Sequence, residues 1–309
     1  MQHFPKVAVL LPTFNGGRFI EQQLDSILSQ TVTDLVVVTR DDGSSDQTCA
    51  IVERYAQQWP GKFHLVAGAG QNLGPSGNFS FLMQYALDNM ESLGLDSAYL
   101  LLCDQDDVWD SRKVEIELEA LLKLEASHPD QPLLIHSDLV VVNEELSPIA
   151  ESFLAFHGLD AGRNDLRNII FSNTVTGCTA LVNERLVRKA LPIPETAMMH
   201  DWWLAMVAAA FGEIGFVPAK LVQYRQHDQN TLGAREYQPR KLFSRITWRR
   251  LWQKNPDEML FSVAQQADVF ATRYRAELSL RQRVCLSLAS GLRTDSFLLQ
   301  RVIFRLLRF

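Results

Sequence analysis

Short apolar runs alternate with polar turns and amphipathic stretches through the first half of the chain. Val7–Leu11, Leu35–Val38, His64–Val66 and Tyr99–Cys103 are runs of strand length. Each leads through a polar turn into residues whose apolar positions recur at helical spacing. After the first run these are Phe19, Ile20, Leu24, Ile27 and Leu28; after the second, Ile51, Val52 and Tyr55. Phe79, Leu82, Met83, Ala86 and Leu87 follow the third, and Val114, Leu118, Leu121 and Leu122 the fourth. Continuous apolar strands separated by helices predict a largely parallel sheet covered on both faces.

The second half breaks this alternation. Leu133–His136 and Leu139–Asn143 stand only Ser137-Asp138 apart, too close for a parallel crossover, which predicts an antiparallel element or a bent strand. Val175–Val182 is a further strand, Met199–Phe211 a helix, and Ile214–Val217 and Leu221–Tyr224 two more strands. From Pro239 the pattern turns helical. The expected division is 1–238 as one α/β domain, with halves of about 1–110 and 111–238, and 239–309 as a C-terminal helical extension.

Charge sharpens that boundary. The net charge of -6 over 309 residues combines 16 Lys+Arg against 31 Asp+Glu in residues 1–239 with 14 against 5 in residues 240–309. A basic, apolar-rich tail on an acidic body suits an anionic surface. No zinc-finger, RNP-like or leucine-zipper pattern points to nucleic acid. The segment Phe297–Phe309 sets Arg301, Arg305 and Arg308 on one helical stripe, consistent with a helix lying on an anionic membrane or packed on the protein. The four cysteines form no C-x-x-C pair, so neither a zinc site nor a disulfide framework is expected, and a reducing cytoplasm fits. The first apolar run is too short for a signal peptide or membrane span.

The candidate chemistry sits at the carboxyl ends of the apolar runs, where open α/β sheets bind ligands. Asp104-Gln105-Asp106-Asp107 follows Tyr99–Cys103 directly. Clustered carboxylates repel unless a cation or hydrogen bonds neutralise them, and oxygen ligands suit Mg2+ or Mn2+. An acidic loop capping the following helix, near Ser111, is the alternative. Thr13–Gly17 and Asp41–Asp46 converge on the same rim, Asp42-Gly43-Ser44 reading equally as a plain turn and Asp46 as a helix cap. His200-Asp201 opens a helix, where an aspartate also serves as a cap. Trp202 and Trp203 suit either a sugar platform or core packing. Gly68-Ala69-Gly70-Gln71-Asn72-Leu73-Gly74 has Leu73 where a dinucleotide loop needs glycine, which excludes a Rossmann dehydrogenase.

The ordered set Leu11-Pro12-Thr13-Phe14-Asn15, Asp41–Asp46 and Asp104–Asp107 resembles glycosyltransferase family 2, the inverting transferases of GT-A fold. Thr176–Ala180, His200-Asp201-Trp202-Trp203 and Tyr224–Asn230 extend the resemblance, which looks most like a bacterial rhamnosyltransferase branch. It implies an α/β fold, a mostly parallel open sheet flanked by helices. It also implies transfer from a nucleotide sugar, dTDP-rhamnose favoured, to a glycan acceptor, lipid-linked in one reading, in O-antigen or similar cell-surface polysaccharide assembly. Pro12, Thr13, Asn15, Asp41, Asp42, Asn72, Asp104 and Gln105 would bind the donor, Asp106 and His227 the metal, and Gly177, Cys178, Trp202 and Trp203 the acceptor. Asp201 would be the general base. The enzyme would work in the cytoplasm or at the inner face of the cytoplasmic membrane, its C-terminal helices on anionic lipid. A nucleotidyl- or phosphotransferase is the rival enzyme, though no G-x-x-x-x-G-K-[ST] is present. A non-catalytic nucleotide-sugar-binding module is the rival from another class.

Overall fold

A computed structural model describes residues 4–68, 71–228 and 258–294, with 300 and 303. Strands β1 (Val7–Thr13), β2 (Leu35–Asp41), β3 (Phe63–Leu65) and β4 (Leu100–Leu102) alternate with helices α1 (Ile20–Leu28), α2 (Thr48–Gln58), α3 (Gly74–Asp88) and α4 (Met90–Leu93). The order continues with β5 (Val108–Trp109), α5 (Lys113–Ser127), β6 (Leu133–Val142), β7 (Pro148–Ala150), α6 (Phe153–His157), α7 (Leu166–Ile169) and β8 (Ala180–Val182). Helices α8 (Glu184–Ala190) and α9 (His200–Phe211), strand β9 (Glu213–Arg225), and helices α10 (Glu258–Arg273) and α11 (Leu280–Ser290) complete the described elements.

They form one sheet in the order β3-β2-β1-β4-β8-β6-β9-β5, with β7 on β6. The expected parallel half is β3-β2-β1-β4. β8 then runs antiparallel to both β4 and β6, while β6 and β9 are parallel to each other. Strands β1, β2, β4 and β6 are buried on both faces, which is why their sequences read as largely apolar runs, whereas β3, β7 and β9 carry exposed positions. Along β1, Val7, Val9 and Leu11 join α1, α2 and α5 in one core, while Ala8 and Leu10 join α3, α8 and α9 in the other.

Two pairs of expected strands are each one continuous strand, the first with the bend expected at Ser137-Asp138. Ser137-Asp138 is no turn, because β6 runs through it with a register shift against β9. Its polar groups find partners inside the fold: Ser137 Oγ donates to Glu117, and Asp138 accepts from the Leu139 and Leu154 amides and Ser152 Oγ. The gap between Ile214–Val217 and Leu221–Tyr224 is a bulge in β9, where register skips Pro218-Ala219. Proline has no N–H to give the ladder there. Conversely, Val175–Val182 contributes only β8, since Gly177–Thr179 forms a 3₁₀ turn held by Thr179 N and Oγ1 on the Thr176 carbonyl.

The C-terminal helices share the main core. Val263, Ala267 and Phe270 of α10 and Leu286 and Ala289 of α11 are buried with α9, and Trp203 meets Phe270 edge-on at 5.2 Å. Ser279 and Gln282 form a capping box at the start of α11. The expected boundary at 238–239 and the stripe Arg301, Arg305 and Arg308 lie outside the described residues. Among the described residues no helix is long and apolar enough to cross a membrane.

Candidate active site

Three loops at the carboxyl ends of β1, β2 and β4 are latched to one another by side chains. Gln105 spans to the first loop, accepting from the Phe14 amide and donating to the Phe14 carbonyl, both at 2.9 Å. Asn15 adopts a positive φ of 48°, a conformation asparagine tolerates better than most residues. From there its amide donates to Ser44 Oγ and its Oδ1 accepts from the Ser45 amide. Gly16 and Gly17 donate to Thr48 Oγ1 and Asp46 Oδ2. A Cβ on Gly16 would lie 2.3 Å from Gln105 Oε1, so the latch requires glycine.

Asp41 and Asp42 divide the work at the second loop. Asp41 accepts from Thr13 Oγ1, Ser44 Oγ and the Gly43 and Ser44 amides. Burial alone would raise its pKa, but these bonds together hold it below the ordinary carboxylate value. It lines a cavity of about 250 Å³ with Thr13, Cys49, Val52, Leu65 and Val66. Burial and the Asp41 charge push the Cys49 thiol up to about 11, so it is a neutral wall at ordinary pH. Asp42 turns away into the protein, pairs with Arg40 and accepts from the Leu73 amide. Asn72 donates to the Asp42 carbonyl and accepts from the Gly74 amide. Asp42 and Asn72 thus shape the loop before α3.

The acidic loop does not cap α5: β5 intervenes, and Asp110 receives the Arg112 amide instead. Asp106 Oδ2 and His227 Nε2 meet at 2.7 Å. Asp104, Asp107 and Cys178 bring ligand atoms within 4.8 Å of one another. Burial, then the charges of Asp106 and Asp201, lifts Asp104 to about 7. Burial and the Asp106 and Asp104 charges raise Asp107 well above the carboxylate range. Arg225 at the end of β9 secures the turn: its amide donates to Asp107 Oδ1 and its Nε to the Asp106 carbonyl. Its guanidinium also reaches Gln22 Oε1 and the Glu144 carbonyl and lies 4.5 Å from the Phe19 ring centroid. Sequence reasoning assigned Arg225 no role, although a buried arginine closing an apolar strand must be paired.

Asp201 lies in the first turn of α9, whose N-cap is Met199, so it is not the cap. Its Oδ2 accepts from the Gly177 amide at 2.9 Å and its Oδ1 from the Trp202 amide at 2.6 Å. Burial raises it to about 6, with the two amides restraining the rise. The Gly177 turn follows from sequence chemistry: a Cβ there would stand 3.0 Å from His200 Nε2 and 3.5 Å from Asp201 Oδ2. His200 is buried and stacked on Phe79 with centroids 4.0 Å apart, burial lowering its pKa to about 3.

The acceptor expectations need correcting. Trp203 is fully buried among Phe270 and Tyr274 and donates to the Ala190 carbonyl, because the face of α9 that it occupies is the core face. Cys178 is also fully buried, facing Asp107 rather than solvent. Trp202 is half-buried, its Nε1 donating to the Ile169 carbonyl. Gly177 acts through its backbone. Pro12, half-buried at the end of β1, carries the rim into Thr13. Asp104 and Asp106 are half-buried on that rim.

Residues 8–178 match Glycosyl transferase family 2. The dTDP-rhamnosyl transferase RfbG of Shigella flexneri is 24% identical over 233 residues, covering 72% of this chain and 74% of that one. An uncharacterized protein of Mycobacterium tuberculosis is 26% identical over 228 residues, and the match spans 72% of this chain but only 59% of that protein's length. Among solved structures, S. aureus TarS with UDP-GlcNAc aligns at TM-score 0.58 and 15% identity, covering 93% of this chain and 71% of TarS. The mannosyltransferase PcManGT of Pyrobaculum calidifontis, in complex with GDP-Man and Mn2+, aligns at TM-score 0.58 and 17% identity, covering 98% and 74%. These likenesses agree with the mixed sheet and flanking helices of a GT-A fold.

Proposed function

Because the chain belongs to glycosyltransferase family 2, we propose that it transfers a hexose from a nucleotide sugar to a hydroxyl of a glycan acceptor with inversion at the anomeric carbon. The favoured donor is dTDP-rhamnose, a reading supported by the likeness to the dTDP-rhamnosyl transferase of Shigella flexneri. The acceptor is a glycan of the bacterial cell surface, carried on a lipid at the inner face of the cytoplasmic membrane.

The observation that carries this reading is Asp201, a carboxylate with a pKa of about 6 held on the Gly177 amide and close enough to Asp104 to raise its pKa. Such a group is ionised at neutral pH yet basic enough to accept a proton. The acceptor oxygen attacks the anomeric carbon, its proton passes to Asp201, and the bond from that carbon to the diphosphate oxygen breaks. The nucleoside diphosphate leaves with the bonding electrons. The donor's nucleobase lies in the cavity lined by Asp41 and Thr13, and Asp104 faces the rest of the donor. Asp106 and His227 stand together at the rim, hydrogen-bonded at 2.7 Å; the carboxylate with donor phosphate oxygens would suit Mg2+ or Mn2+, and the imidazole would favour Mn2+ of the two. When bound, such a cation supplies neutralisation of the charge on the departing diphosphate.

Calorimetry of dTDP-, UDP- and GDP-sugars with Mn2+, followed by turnover of the tightest donor, tests the donor. Asp201→Asn tests the chemistry: it should keep donor affinity and lose about two to four orders of magnitude in turnover. Near-normal turnover would remove Asp201 from the reaction, and donor binding without any turnover in the unaltered protein would favour a binding module.

A further inference from the structure

Helix α11 has two apolar sides. Leu286 and Ala289 face the core. Leu280, Val284 and Leu288, at i, i+4 and i+8, form a second stripe that is 72%, 51% and 38% exposed. Arg281 and Arg283 flank this stripe on either side, and Arg275 stands exposed just before the helix. No Asp or Glu lies on α11.

The neighbouring charges are already spent inside the fold. Glu277 pairs with Lys189, Asp268 with Arg293, and Arg273 donates to the Leu191 and Pro192 carbonyls. Arg275, Arg281 and Arg283 make no ion pair among the described residues. An exposed leucine-rich stripe bordered by unpaired arginines is the pattern of a helix that lies in the headgroup layer of an anionic bilayer.

We propose that this face of α11 docks on an anionic lipid surface, with Leu280, Val284 and Leu288 entering the acyl boundary and the arginines meeting phosphate headgroups. A second copy fits poorly. Three side chains fall far short of the roughly 1,200 Å² of a stable interface, and two-fold pairing would set the arginines against each other. The chain's own tail fits poorly too. Its described residues Gln300 and Ile303 pack at the far end, near Leu292 and Leu260, and the tail is itself basic. The acidic body, with 31 Asp+Glu against 16 Lys+Arg in residues 1–239, is repelled by the same surface and turns α11 toward it.

Through its core side α11 packs on α7. Core residues Ile169 of α7 and Leu286 of α11 share one cluster, and Trp202 beside Asp201 donates to the Ile169 carbonyl. Docking through α11 therefore holds the enzyme at the surface that carries the acceptor. The inference deepens the proposed use of a lipid-carried acceptor and rests on that reading for its purpose. The assay below uses no substrate, so the two readings fail separately.

Vesicle sedimentation of the full chain tests it, with mixed phosphatidylglycerol and phosphatidylcholine against phosphatidylcholine alone. Binding should require phosphatidylglycerol. Arg281→Gln with Arg283→Gln should lower partitioning about twenty-five-fold, at about fivefold for each lost arginine. Leu280→Ser with Val284→Ser and Leu288→Ser should lower it at least about tenfold while the melting temperature stays within about 2 °C. If the serine variant folds poorly, the arginine pair alone decides. Unchanged partitioning in the arginine pair overturns the proposal. So does a dimer, seen by light scattering, that the serine substitutions abolish, because a second copy would then cover the stripe. A fall in melting temperature with unchanged partitioning also overturns it, since the chain itself would then be the cover.

Discussion

Gly177→Ala isolates the support of Asp201 from the carboxylate itself. The added Cβ would stand 3.0 Å from His200 Nε2, 3.5 Å from Asp201 Oδ2 and 3.6 Å from Asp201 Cβ. The first distance is about 0.5 Å short of ordinary contact. His200 has little room to yield, being buried against Phe79. The 3₁₀ turn must therefore move away from α9, stretching the bond from the Gly177 amide to Asp201. A hydrogen bond to a charged group contributes about 1.5–3 kcal/mol, and displacement by about 1 Å costs about a hundredfold in rate. For a shift of roughly half that size, kcat should fall about tenfold to thirtyfold, while donor affinity, read by calorimetry, stays within about twofold. Because that amide lowers the Asp201 pKa, the acid limb of kcat/KM should move above its wild-type position near 6. Gly215→Ala is the control: its Cβ would meet Ile135 Cδ1 at 2.5 Å in the core, so it should lower stability and leave the acid limb in place. Wild-type kcat with an unmoved limb in Gly177→Ala would refute the reasoning.

In the unaltered protein, kcat/KM should fall about tenfold per pH unit below about 6, where Asp201 is protonated. A carboxylate whose folded pKa is raised from 3.8 to about 6 costs stability progressively as pH rises from about 4 to about 6, in full above that and not at all below about 3. Asp201→Asn should accordingly raise the melting temperature at pH 8 and leave it unchanged below about pH 3. Excess EDTA should abolish turnover, and Asp106→Ala or His227→Ala should weaken donor binding in calorimetry; full activity in chelator would end the metal assignment. Lys113→Met strands Glu117, fully buried with it at 2.5 Å, and urea unfolding should show a loss of about 3–5 kcal/mol. Trp203→Ala should cost about 3–5 kcal/mol as a core deletion, whereas Trp202→Ala should cost less and raise the acceptor KM.

The parallel half of the fold was legible because burial on both faces turns β1, β2 and β4 into nearly unbroken apolar runs, with β3 short and partly exposed at the edge. The bent, antiparallel element expected at Ser137-Asp138 is there, whereas the continuity of β6 through it and of β9 past Pro218 was not legible, for a shared reason. Their polar or missing groups are accommodated by Glu117, Ser152 and Leu154, or by a bulge, all of which depend on tertiary placement. The same limit applied at the site. The aspartates were visible as motifs, but nothing local showed that Asp42 turns inward to Arg40, that Trp203 faces α10, or that Arg225 braces the acidic loop from more than a hundred residues away.

The residues easiest to recognise are also those most committed to one another. Gln105 is occupied with the Phe14 backbone, Asn15 with Ser44 and Ser45, and Asp46 with Gly17 and Thr48. These latches define the rim on which any nucleotide-sugar chemistry of this kind depends, so they identify the reaction class. If the donor's base occupies the cavity beside Asp41, selection among bases falls to walls that belong to no motif, most of them small or apolar (Cys49, Val52, Leu65, Val66 and Ala67) beside Thr39 and the carboxylate Glu53. An apolar wall discriminates by only about 1–3 kcal/mol per methylene. Two chains can therefore share every latch and differ in donor through a few such side chains, which is why the motifs carry the family much further than they carry rhamnose.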